Sequence, residues 1–137
     1  MINNLIIQKM IKNFDLCNDS KKFINYKNIH KLYSVREIWW CQLGVNIGYE
    51  QDGTGNGHER PVVILKGFSK YVCIVIPLTT STKRNLYHIS VGEVDNKKAF
   101  AIISQIRLID TKRLINKLGT LEESLFEFMR KAVKDIL

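Results

Sequence analysis

Two unbroken apolar runs, residues 61–65 and 71–76, stand on either side of Lys66-Gly67-Phe68-Ser69-Lys70. Runs of this length bounded by turn residues read as strands, and the short glycine turn between them makes an antiparallel hairpin. Pro61 takes the first strand position, where a missing N–H is tolerated. Arg60 stands directly in front of it. A cation is thereby fixed at the lip of a β-structure, its backbone held by a buried strand while its guanidinium faces a ligand.

The other segments are read around that hairpin. Residues 38–43 have the β-branched and aromatic content of a strand, and Gly44 closes it. Residues 44–59 carry Gly44, Gly48, Gly53, Gly55 and Gly57, a composition that builds no core and reads as a long loop over a binding surface. It has no Gly-Lys-Ser/Thr ending and no strand-to-helix context, which excludes a nucleotide P-loop. Residues 86–91 alternate as a half-exposed strand, and residues 93–98 are a turn. Residues 100–103 form a buried strand continuing into Ser104-Gln105-Ile106-Arg107. Asp110 starts a tight turn, and residues 114–118 make a last short strand before Gly119. The C-terminal segment is a helix: Thr120 and Glu123 have capping-box spacing, and Leu125, Phe128, Met129, Ala132, Val133 and Ile136 form its core-packing face.

Residues 1–33 differ in texture, with six lysines and neither glycine nor proline. Ile6, Ile7, Met10, Ile11 and Phe14 recur at helical steps, with Asn3 or Asn4 as a cap. Residues 19–31 read as a second short helix or a connector. The expected organisation is a partly helical N-terminal extension, 1–33, ahead of a main domain, 34–137. The fold class is α+β and mainly β: a small bent sheet or partly open barrel closed by one C-terminal helix.

At 137 residues the chain has room for one compact domain. Lys and Arg number 21 against 13 Asp and Glu, a net charge of +8 that favours an anionic partner, either nucleic acid or an acidic protein. Cys17, Cys41 and Cys73 are odd in number and show no Cys-x-x-Cys spacing, against both a disulfide framework and a zinc site, and suited to a reducing cytoplasm. Leu5-Ile6-Ile7 is too short for a membrane span. His30, His58 and His88 are scattered, with no carboxylate pair at ligand spacing, so no metal site and no cofactor are expected. Thr79, Thr80, Ser81 and Thr82 make a row of hydroxyls followed by Lys83 and Arg84. Such a row suits phosphate contacts, since each hydroxyl donates a hydrogen bond, and equally suits an ordinary polar strand end.

Five motifs in order carry a family resemblance: Glu37-Ile38-Trp39-Trp40, Gly48-Tyr49-Glu50-Gln51, Arg60-Pro61-Val62-Val63-Ile64, Ile76-Pro77-Leu78-Thr79-Thr80 and Ser104-Gln105-Ile106-Arg107-Leu108-Ile109-Asp110. From about residue 34 to the end, the chain resembles the MazF/PemK (Kid) toxins of toxin–antitoxin systems. The resemblance implies an SH3-like small barrel of the CcdB/PemK type with a C-terminal helix, and a homodimer. It also implies a metal-independent, sequence-specific endoribonuclease that cuts single-stranded RNA through a 2′,3′-cyclic phosphate, and a cognate antitoxin that lays an acidic segment across the RNA groove.

By the same resemblance Arg60 sits on the scissile phosphate and the Thr79 hydroxyl donates to it. Glu50 matches a loop carboxylate, either the base or the group that orients Arg60; as a lone residue it reads equally as a solvated loop charge. Gln51, Thr80, Ser81, Lys83 and Arg84 are the expected RNA contacts. Free arginine keeps its proton to a pKa above ~12, so Arg60 is expected to stabilise charge. The chain departs from one branch of the family, which uses an Arg-x-Asp pair where Ile102 and Ser104 stand here. The loop at residues 52–59 is also longer than in short members. Two rival readings keep the fold: a CcdB-like toxin that targets gyrase, and a catalytically silent module that binds RNA or protein.

Overall fold

The computed structural model describes residues 30–44, 59–83 and 85–137. The expected helix around residues 6–14, most of the glycine loop, Cys17 and His58 lie outside the described residues. Strands β1 (Glu37–Gln42), β2 (Glu59–Gly67), β3 (Val72–Thr79), β4 (His88–Val94), β5 (Lys97–Ile102), β6 (Arg107–Asp110) and β7 (Leu114–Thr120) are followed by helix α1 (Glu123–Ile136). The strand order is β4-β5-β3-β2-β1-β7, with β6 also on β3, and every pairing is antiparallel. The result is a curled half-barrel with one helix packed on it, the mainly-β architecture expected from the sequence.

The hairpin of β2 and β3 is its middle. Both strands are apolar on both faces because the curled sheet has a core on each side. Val63, Ile76 and Leu78 join Phe126, Met129 and Val133 of α1 in one core; Val62, Ile64, Cys73 and Val75 join Trp39, Leu114 and Ile109 in the other. That double burial is why these strands read as unbroken runs instead of alternating ones.

The chain around residue 104 differs from expectation. It does not run straight from β5 into residue 107: a single 3-10 turn at Ile103–Gln105 interrupts it. β5 pairs with the end of β3 at Leu78 and Thr79, and β6 pairs with its first half from Val72 to Val75. The offset between those two registers is three residues, the length of the turn. A barrel corner has absorbed what would otherwise be one long strand; Asp110 ends β6 and, as expected, opens the following turn at Thr111–Arg113, capping it by accepting from Lys112 N at 2.8 Å.

Two further expectations are corrected. β4 starts at His88, not residue 86, because Asn85 Oδ1 accepts from Tyr87 N at 2.8 Å and holds a local turn that leaves Leu86 exposed. The capping box does not form: Thr120 is the last residue of β7, Glu122 is the N-cap, and it makes no side-chain cap bond. The buried face of α1 is Phe126, Met129 and Val133, with Leu125 and Ala132 packed beside it, while Phe128 is exposed. At 100° per residue Phe126 and Phe128 point almost oppositely, so only one of them can face the sheet.

The hairpin between β4 and β5 is tight. Asp95 and Asn96 both have positive φ, 53° and 65°, the signature of a two-residue type I′ turn. A register shift between Ser90 and Glu93 accommodates Gly92, whose φ of 82° makes it the bulge residue. At the far tip of β2 and β3, Tyr33 closes over Gly67: its hydroxyl donates to the Ser69 carbonyl and lies 3.1 Å from that of Val72. A Cβ at Gly67 would meet the Tyr33 hydroxyl at 2.6 Å, so any larger residue there would push the Tyr33 ring aside. His30 completes this contact, with Nδ1 2.7 Å from Thr111 Oγ1 and its ring edge-on to Tyr71. The Thr111 proton goes to the Lys70 carbonyl, so its oxygen accepts from His30. Burial lowers the His30 pKa, with Lys112 and Lys70 acting the same way and Asp110 opposing them.

Candidate active site

The start of β2 and the end of β3 lie side by side. Val62 pairs with Pro77, and extending that register by two residues brings Thr79 opposite Arg60. Both border a cleft of about 190 Å³, with Thr80 beside them. Pro61 and its cross-strand partner Trp40 form another wall, and Asp95 and Lys97 reach it from the β4–β5 hairpin.

Arg60 is more enclosed than a cation facing solvent: it is 8% exposed, and Nη1 donates to the Leu78 carbonyl at 3.2 Å. Strand alternation puts its stem on the face of Val62 and Ile64, so packing fixes the guanidinium before any ligand arrives. The hydroxyls are also set by local backbone. Thr79 Oγ1 accepts from Ser81 N at 3.1 Å, and Ser81 Oγ accepts from Lys83 N at 3.2 Å. In each case an oxygen lone pair is used and the hydroxyl proton is left to donate outward. A buried guanidinium and an oriented hydroxyl beside a small apolar floor are the kind of donor set that an oxyanion requires.

Of the expected site residues, Arg60, Thr79 and Thr80 meet in this cleft, and Ser81 and Lys83 follow on the exposed segment after β3. Glu50, Gln51 and Arg84 lie outside the described residues. Trp40, Asp95 and Lys97 were given no role by sequence reasoning. Trp40 had a signal, since the second aromatic of a strand whose first is buried must face the other side; Asp95 and Lys97 read only as turn residues.

Thiol chemistry does not belong to this site. Cys41, the cross-strand partner of Arg60, is fully buried, and burial pushes its pKa up to about 12 against the pull of Arg113 and Arg107. Cys73 is likewise pushed up to about 12, chiefly by burial. Both stay protonated and act as small apolar side chains. Among the described residues no group of three His, Cys, Asp or Glu is placed to hold a metal ion, and no helix is long and apolar enough to cross a membrane.

The fold has solved counterparts. MazF from Deinococcus radiodurans is 14% identical and superposes with a TM-score of 0.63, covering 77% of this chain and 96% of that one. Mycobacterium tuberculosis toxin MazF-mt6 is 20% identical, with a TM-score of 0.57 and coverage of 73% and 94%. An endoribonuclease from a mycobacterial species, solved with its cognate antitoxin, is 15% identical, with a TM-score of 0.57 and coverage of 76% and 93%. Comparison with curated proteins finds no significant match. The family model of PemK-like, MazF-like toxins of type II toxin–antitoxin systems matches residues 34–137. With that match spanning every described strand and α1, the chain belongs to the PemK-like, MazF-like toxins, a family known as endoribonucleases.

Proposed function

We propose that this protein is a sequence-specific endoribonuclease that cleaves single-stranded RNA without a metal, using the substrate's own 2′-hydroxyl as nucleophile. The observation that carries the reading is that Arg60 and Thr79 line one cleft of a PemK-like fold. In the reaction the 2′ oxygen bonds to phosphorus while the bond from phosphorus to the 5′ oxygen breaks. A base takes the 2′ proton and an acid gives one to the departing 5′ oxygen; the products are a 2′,3′-cyclic phosphate and a free 5′-hydroxyl. Arg60 and the Thr79 hydroxyl donate to the phosphate oxygens, where charge builds up in the transition state. Donors held in place beforehand cost no reorganisation at that moment. Lys83 and the Ser81 hydroxyl serve the flanking backbone, and Trp40 offers a ring on which a base stacks. Glu50 is the proposed base or orienting carboxylate, with Gln51 and Arg84 as further contacts.

The mycobacterial endoribonuclease is held in a complex with its cognate antitoxin. By analogy this chain pairs with an antitoxin whose acidic segment occupies the same cleft, and it works as a homodimer. The net charge of +8 supports either anionic ligand.

Sequencing the ends of an RNA pool incubated with the protein in EDTA tests cleavage, metal independence and specificity together. The parent is expected to cut at a short consensus, leaving cyclic phosphate ends. Arg60→Ala is expected to reduce cleavage roughly a hundredfold to a thousandfold, the range for the loss of one oxyanion donor. Because Arg60 is buried, the cooperative melt of the variant is checked by circular dichroism, and Thr79→Val provides a second, less buried test. A folded Arg60→Ala protein as active as the parent sinks the assignment, and gyrase inhibition with intact RNA replaces it with a protein-targeting toxin.

A further inference from the structure

Asp95, a carboxylate to which the proposed cleavage gives no part, borders the cleft beside Lys97. We propose that the β4–β5 hairpin is a base-reading subsite and that the base it takes is guanine; this rests on the cleft being an RNA site, as argued above. A carboxylate next to a phosphate is repelled by it, so Asp95 faces another part of the nucleotide. An ionised carboxylate only accepts hydrogen bonds. In single-stranded RNA the Watson–Crick edges are open, and they supply the donors.

The four edges differ in what they offer. Guanine presents N1–H and the 2-amino group side by side, two adjacent donors that match the two oxygens of one carboxylate. Adenine and cytosine set a ring nitrogen acceptor beside their single amino group, and uracil flanks its one N–H with two carbonyl oxygens. A carboxylate therefore gains two hydrogen bonds from guanine, and one bond plus a repulsion from each of the others. Next to those donors guanine carries the O6 acceptor, to which a lysine ammonium donates. Asp95 and Lys97 bring both halves of that pattern to one rim of the cleft.

The hairpin is built to hold them there. Asp95 is fixed by the type I′ turn, with φ of 53° at Asp95 and 65° at Asn96. Lys97 pairs with Val94 directly below the turn, so the two side chains share one face of the sheet. Two residues on, Ala99 lies on the same face, buried in the core where it borders the cleft. Trp40 closes the opposite wall.

The test is end-sequencing of a randomised RNA pool cut by the parent and by Asp95→Asn. Asparagine tolerates positive φ, so the turn survives while one acceptor becomes a donor. The parent is expected to show guanine at one fixed position relative to the cut. In the variant that preference falls roughly tenfold to a hundredfold, with cleavage retained at other sites, the range for one bidentate base contact. No guanine preference in the parent overturns the inference, as does an unchanged preference in Asp95→Asn. A folded Asp95→Asn protein that cuts nothing also overturns it, because Asp95 then acts in the chemistry. A second arm measures binding of a short, non-cleavable 2′-O-methyl RNA with one guanine, against the same RNA with inosine, which lacks the 2-amino group. The parent is expected to prefer guanine and Asp95→Asn to bind both alike; equal binding by the parent overturns the subsite. If the parent cuts no RNA, the endoribonuclease reading fails and the binding arm still decides the hairpin.

Discussion

Glu37 shows how one side chain at the edge of the sheet joins three segments. Its Oε1 accepts from Ser34 N at 2.7 Å and from Trp39 Nε1 at 3.1 Å, and its Oε2 lies 2.9 Å from Lys117 Nζ on β7. Burial works against its charge, but Lys117 and the two N–H donors outweigh it and hold the pKa below the ordinary glutamate value. A carboxylate lowered in the folded state stabilises above its unfolded pKa of ~4.3 and loses that contribution as pH falls through the lowered value. Glu37→Gln is therefore expected to cost about 1–3 kcal/mol at pH 7. The gap between parent and variant should narrow as pH is taken from 7 to about 3, below the unfolded value, and close only below the lowered folded value. Urea titrations at the two pH values measure it, and a constant gap would show that shape and not charge is what Glu37 contributes. The same scale separates what sequence reading reached at the cleft from what it missed. Arg60 was legible from the apolar strand behind it, and Thr79 only through the family resemblance, because its row of hydroxyls alone reads as a polar strand end. Asp95 was not, because its position depends on where a hairpin lands in space, and turn chemistry alone places aspartate in any such loop.

At the scale of elements, α1 tests which face the sheet selects. Phe126→Ala is expected to cost about 3–5 kcal/mol, the range for a deleted core aromatic, whereas exposed Phe128→Ala is expected to stay within about 0.5 kcal/mol. Chemical denaturation of the two variants checks the assignment, and equal losses would mean that Phe128 is covered in solution. Periodicity alone did not choose between them: Leu125, Met129 and Ala132 are compatible with either aromatic, and the curvature of the sheet decides. β2 and β3 were readable for the opposite reason, since burial on both faces leaves no phase to misjudge. β6 was hidden because the corner at Ile103–Gln105 contains neither glycine nor proline. The break comes from β3 taking two partners along one edge, which is a tertiary demand with no local signal.

For the whole molecule, the charge of +8 makes a quantitative claim about RNA. If Arg60 and Lys83 each neutralise one phosphate, the logarithm of affinity should fall with the logarithm of salt with a slope of about −1.4. Lys83→Ala should reduce that slope by about 0.7. Fluorescence anisotropy with non-cleavable RNA over a salt series measures both, and a flat series would mean that the surplus charge serves another partner. The shared edge of β3 carries a last consequence. Because β3 is bonded to β2 on one side and to β5 and β6 in succession on the other, its amides open to solvent only when the sheet as a whole comes apart. Thr79 ends that strand and Arg60 leans on its Leu78 carbonyl. The strand under Arg60 and Thr79 is thus expected to exchange among the slowest in the protein, so that any activity of the cleft is lost at the temperature at which the sheet unfolds.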